Sequence, residues 1–439
     1  MVDLQEKHPL ITSLLQLLKT QKKPNVKDLK TSADFPSSEK PHKKHLFKLL
    51  VFLGIVFLLG IFFHLEKSIF TLKKNQTKTK TILRKFGRSA SKKPKRSLPA
   101  SLTPWGSLPA SLYNIPYAET DGIVLNVKTV QIRNVFAPSN ASLLENGDNF
   151  ILFFRYDKPN RHAYPHHFFT NIGVVELDKN FEQTDKEFSR LDTQSNYSED
   201  PRAVKVGNEV YVFYNEVHPH TNFCRTMKVA NVDLKNFQLN FFTNLDLQMQ
   251  PVEKNWMPFE YINDKGKPLL CFAYYLNPHK IFELPDPHIN DCKSLLSVDY
   301  HPYNHLPWPS IWGPPRGGTG PRLIGNEYLG FFHSSFSDND DIIWYVIGAY
   351  TFEATPPFAI TSISNYPILF KGIYNTPPLN TATPKIRCVF PCGFAIEQQN
   401  GKELIHVACG ENNSSVKIIT MDKEALLKSL KKIDNGVPK

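Results

Sequence analysis

Four residues in the middle of the chain have the types that acid catalysis needs. Glu199-Asp200-Pro201-Arg202 sets two carboxylates side by side, just ahead of a strand-like run. Like charges at close range disfavour double ionisation, so one of two neighbouring carboxyl groups can stay protonated near neutrality. A carboxyl group kept neutral can protonate a leaving oxygen. The bland reading is also open: Asp-Pro is a good turn dipeptide, and Arg202 can simply pair with Asp200.

Similar polar clusters recur further along. Arg155 ends one apolar run, and Asn215-Glu216 ends another. "VEKNWMPF" supplies Glu253, Lys254, Asn255 and Trp256, and "PRGGTGP" supplies Arg316, Gly317 and Gly318, with His333 on the return. Carboxylates, cations, amides and aromatic rings together suit a sugar: planar polar groups meet its hydroxyls, and ring faces meet its apolar side. Taken alone, Trp256 and His333 are more often core residues than functional ones.

Elements that could position these groups repeat along the chain. Five stretches align: Ser139–Asp157, Glu199–Val217, Met257–Tyr275, Gly317–Ser335 and Pro391–Glu411. Each opens with small or polar residues, then has an apolar run, a Gly- or Asn-containing turn and a strongly apolar strand. Their starts are roughly 60, 58, 60 and 74 residues apart. Further strand-like runs, "NIGVVELD", "MKVANVDL", "LLSVDY" and "YVIGAYTFE", lie between them. About four strands per unit at this period predict an all-β fold, a five-bladed β-propeller, against a β-sandwich as the alternative. In a propeller the innermost strands border a central channel, and the polar clusters fall at their entry ends. "DKEALLKSLKK" (422–432) predicts a closing helix capped by Asp422.

The net charge of +11 is unevenly spread. Residues 1–112 carry 22 Lys and Arg against 6 Asp and Glu, and the rest carries 30 against 35. The mildly acidic remainder therefore gives a nucleic-acid role no electrostatic support. "LFKLLVFLGIVFLLGIFFHL" (46–65) has the length and apolarity of a single transmembrane helix. The expected organisation is a basic tail (1–45), that helix (46–65), a flexible basic stem (66–112), the propeller (113–432) and a short tail (433–439). The localisation expected is that of a single-pass membrane protein, with Lys and Arg on both flanks leaving the side of the large domain open. Sequons at Asn75, Asn140, Asn196, Asn412 and Asn413 permit a lumenal domain. The six cysteines lack zinc-ribbon spacing, and several sit in apolar runs as buried thiols would. No metal or dinucleotide motif is apparent.

The ordered set "EDPR", "EKNWMPF", "RGGTGPRLI", "EYLGFFH", "YVIGAYTFE", "VFPCGF" and "ACGENNSSVKI" resembles glycoside hydrolase family 130 over roughly residues 130–432. That resemblance implies a five-bladed propeller acting on β-mannosides, as an inverting phosphorylase, a hydrolase or a related mannosyltransferase. It implies Asp200 as the proton donor, with orthophosphate attacking the anomeric carbon directly. Lys254, Arg225, His333 and Tyr345 are then the candidates to hold phosphate. Arg155, Glu199, Arg202, Asn215, Asn255, Trp256 and Arg316 are the candidates to hold sugar. The implied co-substrate is inorganic phosphate or mannose 1-phosphate, with no other cofactor. The implied partner is a mannose-containing oligosaccharide or glycan. The stretch "NTATPKIRCVFPCG" lacks the acidic residue that many phosphorylases carry there. Inverting hydrolysis needs a carboxylate base instead of phosphate, for which Glu216, Glu253 and Glu260 come into question. A propeller that binds glycan or protein without catalysis is the alternative from another class.

Overall fold

In a computed structural model of the chain, the described residues are 108–433. Excepted are 160–167, 219–223, 246, 248, 251, 290–291, 295–306 and 379–384. They are almost entirely β, arranged as five sheets in chain order. The first sheet has strands Pro138–Asn146, Asn149–Pro159, Phe168–Leu177 and Ser189–Arg190. The second has Ser198–Val206, Glu209–His218, Cys224–Asp233 and Gln238–Leu245, and the third begins with Met257–Ile262 and Pro268–Leu276. The last consists of Val389–Gln399, Lys402–Glu411 and Ser415–Asp422, to which the early strand Val124–Val130 adds antiparallel.

Each of the five hairpins expected from the repeat is present, pairing antiparallel. The first strands of successive sheets touch: Pro138–Asn146 meets Ser198–Val206 and Val389–Gln399, and Ser198–Val206 meets Met257–Ile262. This is the inner ring of a propeller. Its last sheet is completed by the domain's own first strand, which ties the two ends of the ring together.

The expected five-bladed β-propeller is corrected to four regular blades beside one larger, irregular sheet. Four sheets are regular four-stranded blades, and the remaining one is seven-stranded. Its inner strand is broken into Arg316–Gly317 and Arg322–Ile324, both pairing with Glu327–Ser337. The break falls on Gly318-Thr319-Gly320-Pro321, where two glycines weaken extended structure and Pro321 has no N–H to give. The same sheet recruits Ile386–Arg387 in parallel and Leu430–Lys432 at its far edge. The expected transmembrane helix and the single-pass membrane localisation are not supported either. Among the described residues no helix is long and apolar enough to cross a membrane. Residues 46–65 and the expected stem up to 107 lie outside the described residues, as does "LLSVDY" (295–300).

Period-2 alternation sends one set of side chains into each gap between sheets. Ile151, Phe153, Ile172 and Val174 of the first sheet pack on Val212, Tyr214 and Ala230 of the second. Burying a side chain such as Phe153, 0% exposed, stabilises by about 1.5–3 kcal/mol. Cys271, Cys388, Cys392 and Cys409 are buried thiols of this kind of packing, as expected. The closing helix is shorter than expected, Lys423–Ser429, with the Asp422 carboxylate accepting from the Ala425 N–H at 2.9 Å. Leu430 leaves the helix because it pairs with Ser364 as a strand residue.

Candidate functional site

The inner strands carry irregularities at their entry ends. The ladder slips between Ser139 and Ser142, between Glu199 and Arg202, and between Pro391 and Gly393. A bulge re-aims the side chain that it displaces. At the first two of these slips, and at the start of the third blade, stand Asn140, Asp200 and Asn255, with φ of 45°, 56° and 68°. Asn and Asp tolerate this left-handed backbone better than other non-glycine residues. Pro201 contributes by offering no ladder N–H. The residue types at these points are thus those that the backbone geometry allows.

Asp200 is 8% exposed. Its Oδ1 accepts a hydrogen bond from Asn140 Nδ2 at 2.7 Å and lies 3.6 Å from Arg155 Nη1. The same Nη1 is 3.9 Å from Glu199 Oε1, and Arg155 Nε is 3.4 Å from Asp157 Oδ1. Glu199 Oε2 receives Arg225 Nη2 at 3.2 Å, and the Glu199 carbonyl accepts from Asn215 Nδ2 at 3.2 Å. Arg155, Glu199, Asp200, Asn215 and Arg225 are therefore one connected group. Burial raises the pKa of Asp157 and outweighs the opposing pull of Arg155.

Lys254 is exposed as a residue, but its ammonium is crowded by protein. That desolvation, followed by repulsion from Arg225 and Arg316, lowers its pKa, while Asp200 and Glu199 oppose the shift. Lys254 therefore shares its field with both carboxylates and both arginines. Arg316 donates to Ser335 Oγ and stands 5.7 Å from the centre of the Tyr345 ring. His333, the register partner of Arg316, is 1% exposed and packs 4.3 Å from Phe390 and 5.9 Å from Tyr345, ring centre to centre. Burial, then Arg316, Arg202 and Lys254, hold its pKa well below the usual histidine range. His333 is thus a neutral imidazole at physiological pH. It can offer or accept a hydrogen bond but brings no positive charge. Tyr345 keeps its proton, since burial pushes its phenol up.

Two of the expected sugar contacts turn inward. Arg202 is 0% exposed and donates to the carbonyls of Gly318 at 2.6 Å, Asp200 at 3.2 Å and Gly317 at 3.4 Å, and to Asn255 Oδ1 at 3.2 Å. It clamps three blades together beneath Asp200. The glycines are needed there: a Cβ on Gly317 would stand 2.0 Å from the Asn255 carbonyl oxygen. Trp256 is 0% exposed, stacks on Phe272 at 4.7 Å and donates to Glu253 Oε2 at 3.3 Å. It lies in the core rather than at the mouth.

The three carboxylates considered as bases are occupied. Glu216 pairs with Lys228, Glu253 accepts from Tyr274 Oη at 2.8 Å, and Glu260 accepts from the Gly207 N–H at 2.7 Å. Among the described residues no group of His, Cys, Asp and Glu is arranged to hold a metal ion. By contrast, this cluster holds buried polar atoms without a hydrogen-bond partner among the described residues: Asn140 Oδ1, Arg155 Nε, Asp157 Oδ1, Asn215 Oδ1, Arg316 Nε and His333 Nδ1. Such orphans are rare in folded proteins and call for a reason.

Sequence reasoning missed Asn140 and Asp157. Asn140 read as a sequon, but it is 4% exposed and bonded to Asp200. A positional signal existed, since it occupies the same place in the first repeat as Asp200 in the second. Asp157 lies two residues after Arg155, on the same face of a strand.

No protein-family profile and no curated protein matches the chain. Solved structures similar to it include a mannose phosphorylase from Leishmania mexicana in complex with a phosphate ion. That structure is 14% identical, with 73% of this chain and 96% of that one covered and a TM-score of 0.48. A β-1,2-mannobiose phosphorylase from Listeria innocua, in complex with β-1,2-mannobiose, is 16% identical, with 71% and 98% covered and a TM-score of 0.48. A third comes from work on glycoside hydrolase family 130 hydrolases that target β-1,2 mannosidic linkages in Candida mannan. It is 12% identical, with 66% and 85% covered and a TM-score of 0.46. The solved structures that this chain is similar to thus include mannoside phosphorylases and hydrolases of glycoside hydrolase family 130, at low sequence identity.

Proposed function

We propose that the channel mouth cleaves or forms a β-mannosidic bond with inversion, with Asp200 as the acid and inorganic phosphate as the nucleophile. The observation that carries this is the placement of Asp200. A bulge turns its carboxylate toward Asn140 and Arg155, within the field of Lys254 and Arg225. In the cleavage direction a phosphate oxygen bonds to the anomeric carbon as the glycosidic C–O bond breaks. The leaving oxygen takes a proton that originates on Asp200, and the sugar leaves as mannose 1-phosphate. Lys254, Arg225 and Arg316 would offset the phosphate charge. His333 and Tyr345 would contribute hydrogen bonds only.

One observation favours phosphate over water as the nucleophile. Inverting hydrolysis requires a carboxylate base, and Glu216, Glu253 and Glu260 all hold protein groups instead. The test incubates the full chain with β-mannosides, with and without phosphate, and assays mannose and mannose 1-phosphate. Phosphate-dependent mannose 1-phosphate that disappears in Asp200→Asn is the expected result. Free mannose without phosphate points to hydrolysis. Mannoside binding with no turnover in any condition overturns the proposal.

A further inference from the structure

Asp157 has no part in the chemistry proposed above, yet it sits beside it. It leaves the strand Asn149–Pro159 on the same face as Arg155 and is 3% exposed. Its Oδ1 lies 3.4 Å from Arg155 Nε, close enough for an ion pair, but among the described residues this oxygen accepts no well-formed hydrogen bond. The other edge of the same guanidinium faces Asp200 at 3.6 Å and Glu199 at 3.9 Å. One planar, rigid cation is therefore held between a carboxylate on its Nε side and two on its Nη1 side. A pull on Nε decides where Nη1 lies. Leaving a buried carboxylate oxygen on so loose a contact is costly, and an ion pair kept for stability alone is better hydrogen-bonded than this one.

Among the described residues, the charged groups acting on Asp157 are Arg155 from its own strand and Glu199 and Asp200 from Ser198–Val206. Its register partner on the next strand, Thr170, is uncharged. Arg225 acts one step away, through Glu199. We infer that Asp157 is a positioning residue that sets the Arg155 guanidinium against Asp200, and that protonation of Asp157 loosens this hold. The direction of its proton affinity agrees. Burial raises the pKa, so as pH falls Asp157 takes up a proton before an ordinary aspartate does. The kinetic consequence rests on the proposed mannoside chemistry, but the positioning does not.

The test follows the Arg155 Nε–Hε resonance by NMR in the full chain, assigned with Arg155→Lys, from about pH 4 to about pH 8. The expected result is a titration step above the ordinary aspartate value of about 3.9. That step should persist in Asp200→Asn, move in Asp157→Glu and vanish in Asp157→Asn. A step that is unchanged in Asp157→Asn, or no step in the wild type, overturns the inference. Where the wild type turns over a mannoside, Asp157→Asn is expected to lower kcat/KM roughly 10-fold, mainly through KM, and to remove the acidic limb of its pH profile. A superimposable profile with kcat/KM within about 2-fold also overturns it. If the wild type turns over no mannoside while the step still depends on Asp157, the proposed function fails and the positioning role stands.

Discussion

At the scale of single residues, the polar cluster around Asp200 separates side chains that meet one another from side chains that hold the backbone. Asp200 and Arg202 are two positions apart and do opposite work. The Asp200 side chain is turned out by a positive φ, while the Arg202 side chain is fully enclosed by backbone carbonyls. Asp200→Asn is therefore expected to lower turnover by about 10²–10⁴-fold. Its unfolding midpoint should stay close to wild type, as circular dichroism melts would show. Arg202→Ala should behave in reverse. It leaves Gly318 O and Asn255 Oδ1 buried with lost partners and opens a cavity, for a loss of about 3–5 kcal/mol in urea unfolding. A near-normal urea midpoint for Arg202→Ala would remove its role as a clamp.

At the scale of elements, repeated bulges and one broken strand shape the site. The inner strand of the seven-stranded sheet runs so close to the third blade that Gly317 has no room for a side chain. Gly317→Ala is expected to displace the Asn255 backbone and cost about 1–3 kcal/mol. Crystallography of the variant should show Lys254 moved with it. At the far end of the chain, Asp422 caps the closing helix. Asp422→Ala should cost about 1 kcal/mol without changing activity, because this helix is remote from the mouth. These elements also show the limits of reading a sequence. The hairpins were legible because alternation and turn residues act locally. The shortened helix was not, because it depends on Ile360–Ser364, a strand distant in sequence, and the split inner strand was missed although Gly318-Thr319-Gly320-Pro321 marks it locally.

For the whole molecule, the ring is joined where Val124–Val130 pairs with Ser415–Asp422, at opposite ends of the domain. Deleting residues 108–130 should therefore abolish a single cooperative unfolding transition rather than trim a terminus. Buried histidines give the fold a pH limit. His279 is fully buried, its Nδ1 lies 2.9 Å from the Phe358 carbonyl oxygen, and burial lowers its pKa to about 4. His333 is shifted the same way. In the unfolded chain both would take up protons near pH 6.5. Stability is therefore full above about pH 6.5 and falls as pH drops toward about 4, because the unfolded state binds more protons in that window. The His279 shift corresponds to about 3 kcal/mol across it. Denaturant midpoints should fall through this range, and His279→Gln should reduce the slope. A flat profile would mean that these histidines are charged or exposed in the native state.

By itself the sequence determined the all-β repeat, the hairpins and the neighbourhood of Asp200, because period-2 alternation and the preferences of Gly, Asn, Asp and Pro act over a few residues. The tertiary structure decided which polar residues meet. Arg155 and Asp200 are 45 positions apart, and Asn140 and Asp200 are 60 apart. No local pattern encodes contacts at such separations. Ring closure also decided that Trp256 is core, that Arg202 is a clamp and that His333 is neutral, since each depends on how many neighbouring blades surround the side chain. "EDPR" thus holds a carboxylate turned toward Asn140 and Arg155 and the buried clamp beside it, and only the packing of three blades tells the two apart.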